Sequence, residues 1–231
     1  MCAQIAVPTA ADPQLEAWLL DRYVAAQLAG DRRAALQLVV EHGLGRGVPV
    51  VGLYLNLIQA AQYRIGDLWQ QNRISVAQEH LATAISQVVI AELYRAMTSA
   101  APNGKKAVVA SVGGELHDLG TRITADFFEM AGFEVRYLGA NVPTDTLVGI
   151  IREELPELLI ASMTMTFHTD ALRDAVLRSR EAAGDRLHLA VGGQAFTWAP
   201  ELIDELGAEV YGRDALESVA GAQRALHLTP A

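Results

Sequence analysis

"KAVVASVGGELHDLGTRI", Lys106–Ile123, decides the fold. The run "AVVASV" is apolar and rich in β-branched residues, a glycine pair closes it, and a helical pattern opens at Leu119. A short apolar run bounded by turn residues and followed by an amphipathic helix reads as a buried parallel strand entering its crossover helix. Between strand and helix crowd three polar groups, Glu115, His117 and Asp118.

The same grammar repeats toward the C-terminus. "FEVRYLG", "LLIASMT", "LHLAVGG" and "AEVYG" read as four further strands. Helical patterns follow the five strands in turn, at about 119–131, 144–154, 170–183, 199–206 and 214–226. Strict alternation predicts a five-stranded parallel sheet covered on both faces, with ligands at the carboxyl ends of its strands. Three loops converge there: "GGELHDLG", "SMTMTFHT" and "GGQAF".

Toward the N-terminus the pattern is helical throughout. "DPQLEAWLLDRYVAAQLAG" has Asp12 as its N-cap and Pro13 at the first helical position. "DRRAALQLVVEHG" is a second helix, "VPVVGLYLNLIQAAQYRIGDLWQQN" a third, and "SVAQEHLATAISQVVIAELYRAM" a fourth with Ser75 as cap. "TSAAPNGKK" reads as a linker. The expected organisation is a helical bundle, a cap of four helices over 1–100, followed by an α/β domain over 104–231.

Composition narrows the function. A net charge of −9 disfavours direct contact with nucleic acid. Cys2 is the single cysteine, which excludes an internal disulfide framework and a cysteine-based zinc site and suits a reducing cytoplasm. The N-terminus does not read as a secretory signal, and no apolar run approaches the roughly 20 residues that span a bilayer. A cytoplasmic location is expected.

The first loop lacks a P-loop, and its imidazole stands where a dinucleotide's pyrophosphate would need room. A neutral imidazole oriented by a carboxylate on its other nitrogen is a metal ligand's arrangement, and Glu115, two residues before His117, is placed to orient it. His168, in the loop after the third strand, reads as a helix-start cap, with a ligand-facing position at that edge as the alternative, and His42, His188 and His227 read as surface or helix-end residues.

Taken together, "ELHDLG", "SMTMT" and "GGQ" behind a helical bundle resemble the cobalamin-binding module of methionine synthases, corrinoid methyltransferase proteins and light-responsive regulators. The resemblance runs from about Leu36 to Leu226 and implies a flavodoxin-like second domain. It implies that His117 is the lower cobalt ligand, that Gly120 lets the nucleotide tail pass, and that Ser162, Thr166, Gly192 and Gly193 line the tail's slot. Asp118, Thr164 and Gln194, in the same segments, are expected to contribute. Glu115 stands where most members carry Asp, which keeps the carboxylate and lengthens its arm.

"LWQQNRISVAQEHLAT" resembles the cap of CarH-type light-dependent regulators. The resemblance implies that Trp69, Val76, Glu79 and His80 lie over the corrin's upper face and accommodate a deoxyadenosyl group. Two features depart from it: no basic recognition helix precedes the bundle, and Gln70 stands where a histidine is expected. The expectation is therefore a light-sensing cobalamin regulator, not itself an enzyme, acting through a protein partner such as a transcription regulator, as AerR-type antirepressors do. Adenosylcobalamin is the favoured cofactor, with hydroxo- and methylcobalamin as further forms, and a homo-oligomer is admissible. The alternative is the corrinoid carrier subunit of a methyltransferase system.

Overall fold

The computed structural model describes residues 13–228, so Cys2 and the Asp12 cap lie outside the described residues. The chain divides into a helical unit ending at Met97 and an α/β unit running from Thr98.

The helical unit contains α1 (Pro13–Leu28), α2 (Arg32–Gln37), α3 (Val50–Gly52), α4 (Ala60–Gln70) and α5 (Val76–Ala96). The second and third helices expected from periodicity are continuous but change their period. Leu38–Gly43 continues α2 as a π-helical segment, and Leu53–Gln59 joins α3 to α4 as another. An extra residue per turn rotates the buried face, so apolar residues stay inward along runs whose spacing departs from 3.6. Tyr23, Tyr54, Ile58, Ile65, Ile85 and Leu93 are buried between these helices. Ser75 caps α5 through a capping box, its side chain accepting from the Gln78 N–H while Gln78 bonds back to the Ser75 N–H.

The α/β unit is a five-stranded parallel sheet of order β2-β1-β3-β4-β5. Its strands are β1 (Lys106–Val112), β2 (Glu134–Val142), β3 (Leu158–Ser162), β4 (His188–Gly192) and β5 (Val210–Tyr211). The helices α6 (Leu119–Met130), α7 (Thr144–Glu154), α8 (Thr169–Ala183) and α11 (Ala215–Ala225) fall at the expected places. Packing pairs α6 with α11 and α7 with α8, the second pair lying against β1. The single helix expected at 199–206 is instead two short ones, α9 (Ala195–Trp198) and α10 (Glu201–Glu205). Pro200 between them has no N–H and cannot continue a helix begun before it.

Residues 98–105 are not a loose linker. Ala100 N–H donates to Met130 O, Asn103 N–H donates to Gly132 O, and a Cβ on Gly132 would lie 2.3 Å from Ala101 O. The segment is therefore seated on the α6–β2 turn.

The chain runs from β1 to β2 on one side, then crosses to β3 on the other, so the topological switch lies between β1 and β3. At their carboxyl ends Ser111 of β1, Ser162 of β3 and Gly192 of β4 stand side by side in register. This row of small residues leaves room above the sheet edge. No helix among the described residues is long and apolar enough to cross a membrane.

Gly193 shows how tightly one loop at this edge is built. Its φ is +105°, and an added Cβ would lie 2.4 Å from Met163 O, whereas a Cβ on Gly192 would find its nearest atom 4.0 Å away. Gly193→Ala is expected to destabilise the protein by about 1–3 kcal/mol in urea denaturation, and Gly192→Ala by clearly less.

Candidate functional site

The carboxyl edge of the sheet gathers the three predicted loops. His117 leaves the β1–α6 loop with its side chain 54% exposed, while Glu115, two residues earlier, is fully buried. His117 Nδ1 lies 2.5 Å from Glu115 Oε1, and the same oxygen accepts the His117 backbone N–H at 3.0 Å. The other oxygen, Oε2, accepts from the backbone N–H groups of Thr164 at 2.8 Å and Met165 at 2.9 Å. Burial pushes the Glu115 carboxyl up, but the bonds from the His117 ring and from the His117, Met165 and Thr164 amides outweigh it and hold its pKa at about 2. An ionised carboxylate only accepts, so the imidazole carries a proton on Nδ1.

The loop is tied down from several sides. Glu115 N–H donates to Val112 O at 2.9 Å, Asn141 N–H donates to Glu115 O at 2.8 Å, and Gly114 N–H donates to Asn141 Oδ1 at 2.7 Å. Ser111 Oγ donates to His117 O at 3.1 Å and lies 2.7 Å from Thr121 Oγ1. Asp118 accepts from the Tyr137 hydroxyl at 3.3 Å, and burial together with that carboxylate pushes the Tyr137 phenol well above its ordinary value.

Of the residues predicted from sequence, Glu115, His117, Asp118, Ser162, Thr164, Thr166, Gly192, Gly193 and Gln194 all lie on the strand ends and loops of this edge. A Cβ on Gly120 would meet nothing within 4 Å, so that position borders open space. Trp69, Val76, Glu79 and His80 belong to the helical unit, where they flank the α4–α5 turn. Trp69 is 41% exposed and the His80 side chain 73%. His80 Nδ1 lies 2.6 Å from Glu79 Oε2, and Glu79 Oε1 accepts from Thr83 Oγ1 at 3.1 Å.

Sequence reasoning missed Asn141, which adopts φ +52° beyond the expected end of β2. An asparagine just past an apolar strand, able to take a left-handed conformation, was its signal. It also missed Leu116, Phe167 and Trp198, large apolar side chains exposed in or just after the three loops. An apolar residue inside a turn-forming segment was the cue there. Among the described residues no group of three His, Cys, Asp or Glu is arranged to hold a metal ion. What this edge offers is one imidazole oriented by a buried carboxylate.

Comparison with known proteins is in keeping with that chemistry. Residues 105–220 match the family model described as B12 binding domain, and residues 19–94 match a second model with the same description. The chain belongs to the B12-binding domain family. It is 28% identical over 174 residues to dimethylamine corrinoid protein 2 of Methanosarcina acetivorans, covering 73% of this chain and 79% of that protein. It is 28% identical over 199 residues to the trimethylamine corrinoid protein of Methanosarcina barkeri, covering 82% and 88%. The solved monomethylamine corrinoid protein of Methanosarcina barkeri shares the fold, with a TM-score of 0.79 at 20% identity over 91% of this chain and 99% of that one.

These findings correct the expected light-sensing regulator, and with it the transcription-regulator partner, because the similar proteins are corrinoid proteins named for methylamines. The structural reason lies in the residues that suggested it. The spacing from Trp69 to His80 is that of one helix ending, a turn, and a second helix starting on a Ser75–Gln78 capping box, which helical proteins form for stability alone.

Glu115 should impose a pH dependence on stability. Its folded pKa of about 2 lies below the ordinary 4.5, so its contribution is fully present above pH 4.5 and is lost as the pH falls toward 2. Glu115→Gln is expected to cost about 2–3 kcal/mol at pH 7. In urea titrations the difference from the parent should shrink steadily between pH 4.5 and pH 2.

Proposed function

We propose that this chain is a corrinoid carrier subunit that holds a methyl group for a methyltransferase acting on a small methylated amine. The observation that carries the reading is the His117 imidazole, fixed through Nδ1 by buried Glu115 and with its side chain 54% exposed at the sheet edge. The 28% identical dimethylamine and trimethylamine corrinoid proteins support it, since each matches along most of its length.

When bound, the corrinoid cobalt supplies the chemistry, accepting a methyl group from one partner and yielding it to another. This chain's residues bind and orient. His117 would ligate the cobalt, and Glu115 would orient the ring for it. Gly120, Ser162, Thr164, Thr166, Gly192, Gly193 and Gln194 would hold the nucleotide tail, with Asp118 beside His117. The small residues in register at the strand ends and the open space at Gly120 suit a bulky ligand lying close to backbone. Trp69, Val76, Glu79 and His80 fall within the helical segment that matches its own B12-binding model, and they are proposed as further corrinoid contacts.

The test is reconstitution with hydroxocobalamin. The parent is expected to retain the cofactor through gel filtration with a histidine-ligated absorbance spectrum. His117→Ala should weaken retention about tenfold or more and return the spectrum toward that of the free cofactor. Loaded, reduced protein mixed with a methylamine methyltransferase and its substrate should gain the absorbance of the methylated corrinoid. Absence of that gain with mono-, di- and trimethylamine systems alike would refute the carrier role.

A further inference from the structure

The β3–α8 loop meets the β1–α6 loop at two points. The first is the Glu115 carboxylate, which accepts from the Thr164 and Met165 amides. The second involves His168. A Cβ on Gly114 would fall 2.7 Å from His168 Cε1 and 2.8 Å from its Nδ1, so the imidazole fills the space that a side chain at 114 would need.

The turn that presents both contacts is closed on itself. His168 N–H donates to Met165 O at 3.1 Å, and Thr169 Oγ1 donates to Thr166 O at 2.6 Å. Phe167 backs the imidazole, with ring centroids 4.2 Å apart. Asn141 holds the same loop through the Gly114 N–H and the Glu115 carbonyl. Gly114 sits at φ +87°, a conformation open to glycine and easily lost by it, since glycine has the widest choice of alternatives. The ring resting on it restricts that choice.

We propose that His168 is a positioning residue: its ring, seated on the Gly114 backbone, clamps residues 114–117 against the Thr164 and Met165 amides and so fixes the direction in which His117 presents Nε2. The inference rests on reading His117 as the cobalt ligand only for its effect on ligation. The clamp itself belongs to the protein without cofactor.

Three proteins test it: the parent, His168→Ala and His168→Phe. Two quantities are read, backbone amide exchange at Thr164 and Met165 in the cofactor-free protein, and the absorbance spectrum of each protein loaded with hydroxocobalamin. His168→Ala is expected to speed exchange of both amides about tenfold and to shift part of the spectrum toward that of His117→Ala. His168→Phe, which keeps a flat ring over Gly114, should restore both. Parent-like exchange in His168→Ala overturns the clamp. An exchange defect that His168→Phe fails to rescue overturns it as well, by assigning the effect to a ring nitrogen. If exchange responds as expected while His117→Ala leaves the spectrum unchanged, the clamp stands and the reading of His117 as ligand falls.

Discussion

One buried carboxylate ties the β1–α6 loop to the β3–α8 loop at the carboxyl edge of the sheet. Taking Glu115 out of water costs several kcal/mol unless its oxygens are satisfied. Here each oxygen accepts two donors, one pair from His117 and the other from Thr164 and Met165. The arrangement is reciprocal. The donors keep the carboxylate ionised, and the ionised carboxylate dictates which imidazole nitrogen carries the proton. Length matters too, because the extra methylene of glutamate carries the carboxylate from the β1–α6 loop to amides nearly fifty residues further along the chain.

That bridge is possible because of strand order. β1 pairs directly with β3, so the loops leaving their carboxyl ends are neighbours although a complete βα unit separates them in sequence. An order in which β2 lay between β1 and β3 would put the Thr164 and Met165 amides about 5 Å further off and leave the carboxylate without half its donors. The register adds a second condition. Ser111, Ser162 and Gly192 align, so the edge below the loops is lined with small groups and the backbone itself is accessible there.

The legible and illegible parts of this design divide along a physical line. Strands and crossover helices announce themselves by side-chain periodicity, and β1 and α7 lie where the pattern put them, at Lys106–Val112 and Thr144–Glu154. The Glu115–His117 pair was legible because two residues of spacing in a tight turn bring those side chains together. What stayed hidden works through backbone. The amides of Thr164 and Met165 would be there with almost any side chain, and Asn141 acts through its own N–H as well as its carboxamide. The π-helical segments Leu38–Gly43 and Leu53–Gln59 were hidden because a changed helical period blurs the signal by which helices are read. The light-sensing expectation failed for a different reason: Trp69, Val76, Glu79 and His80 share the spacing of a regulator's cap, but a capped helix-turn-helix junction produces that spacing on its own.

A site with a single protein donor divides its labour in a way that a multi-ligand metal site cannot. Where three or four side chains hold an ion, each sets both affinity and electronic character, and neither can change without the other. Among the described residues no such cluster exists, and at the sheet edge the His117 imidazole is supported by a carboxylate whose remaining bonds go to backbone. Under the proposed function, grip on the cofactor then falls mainly to the glycines and hydroxyls at the strand ends, and donor strength to the Glu115–His117 pair. A carrier needs this separation. It must keep its cofactor through repeated encounters with partner enzymes, and residues that would grip the cofactor away from the imidazole serve that need.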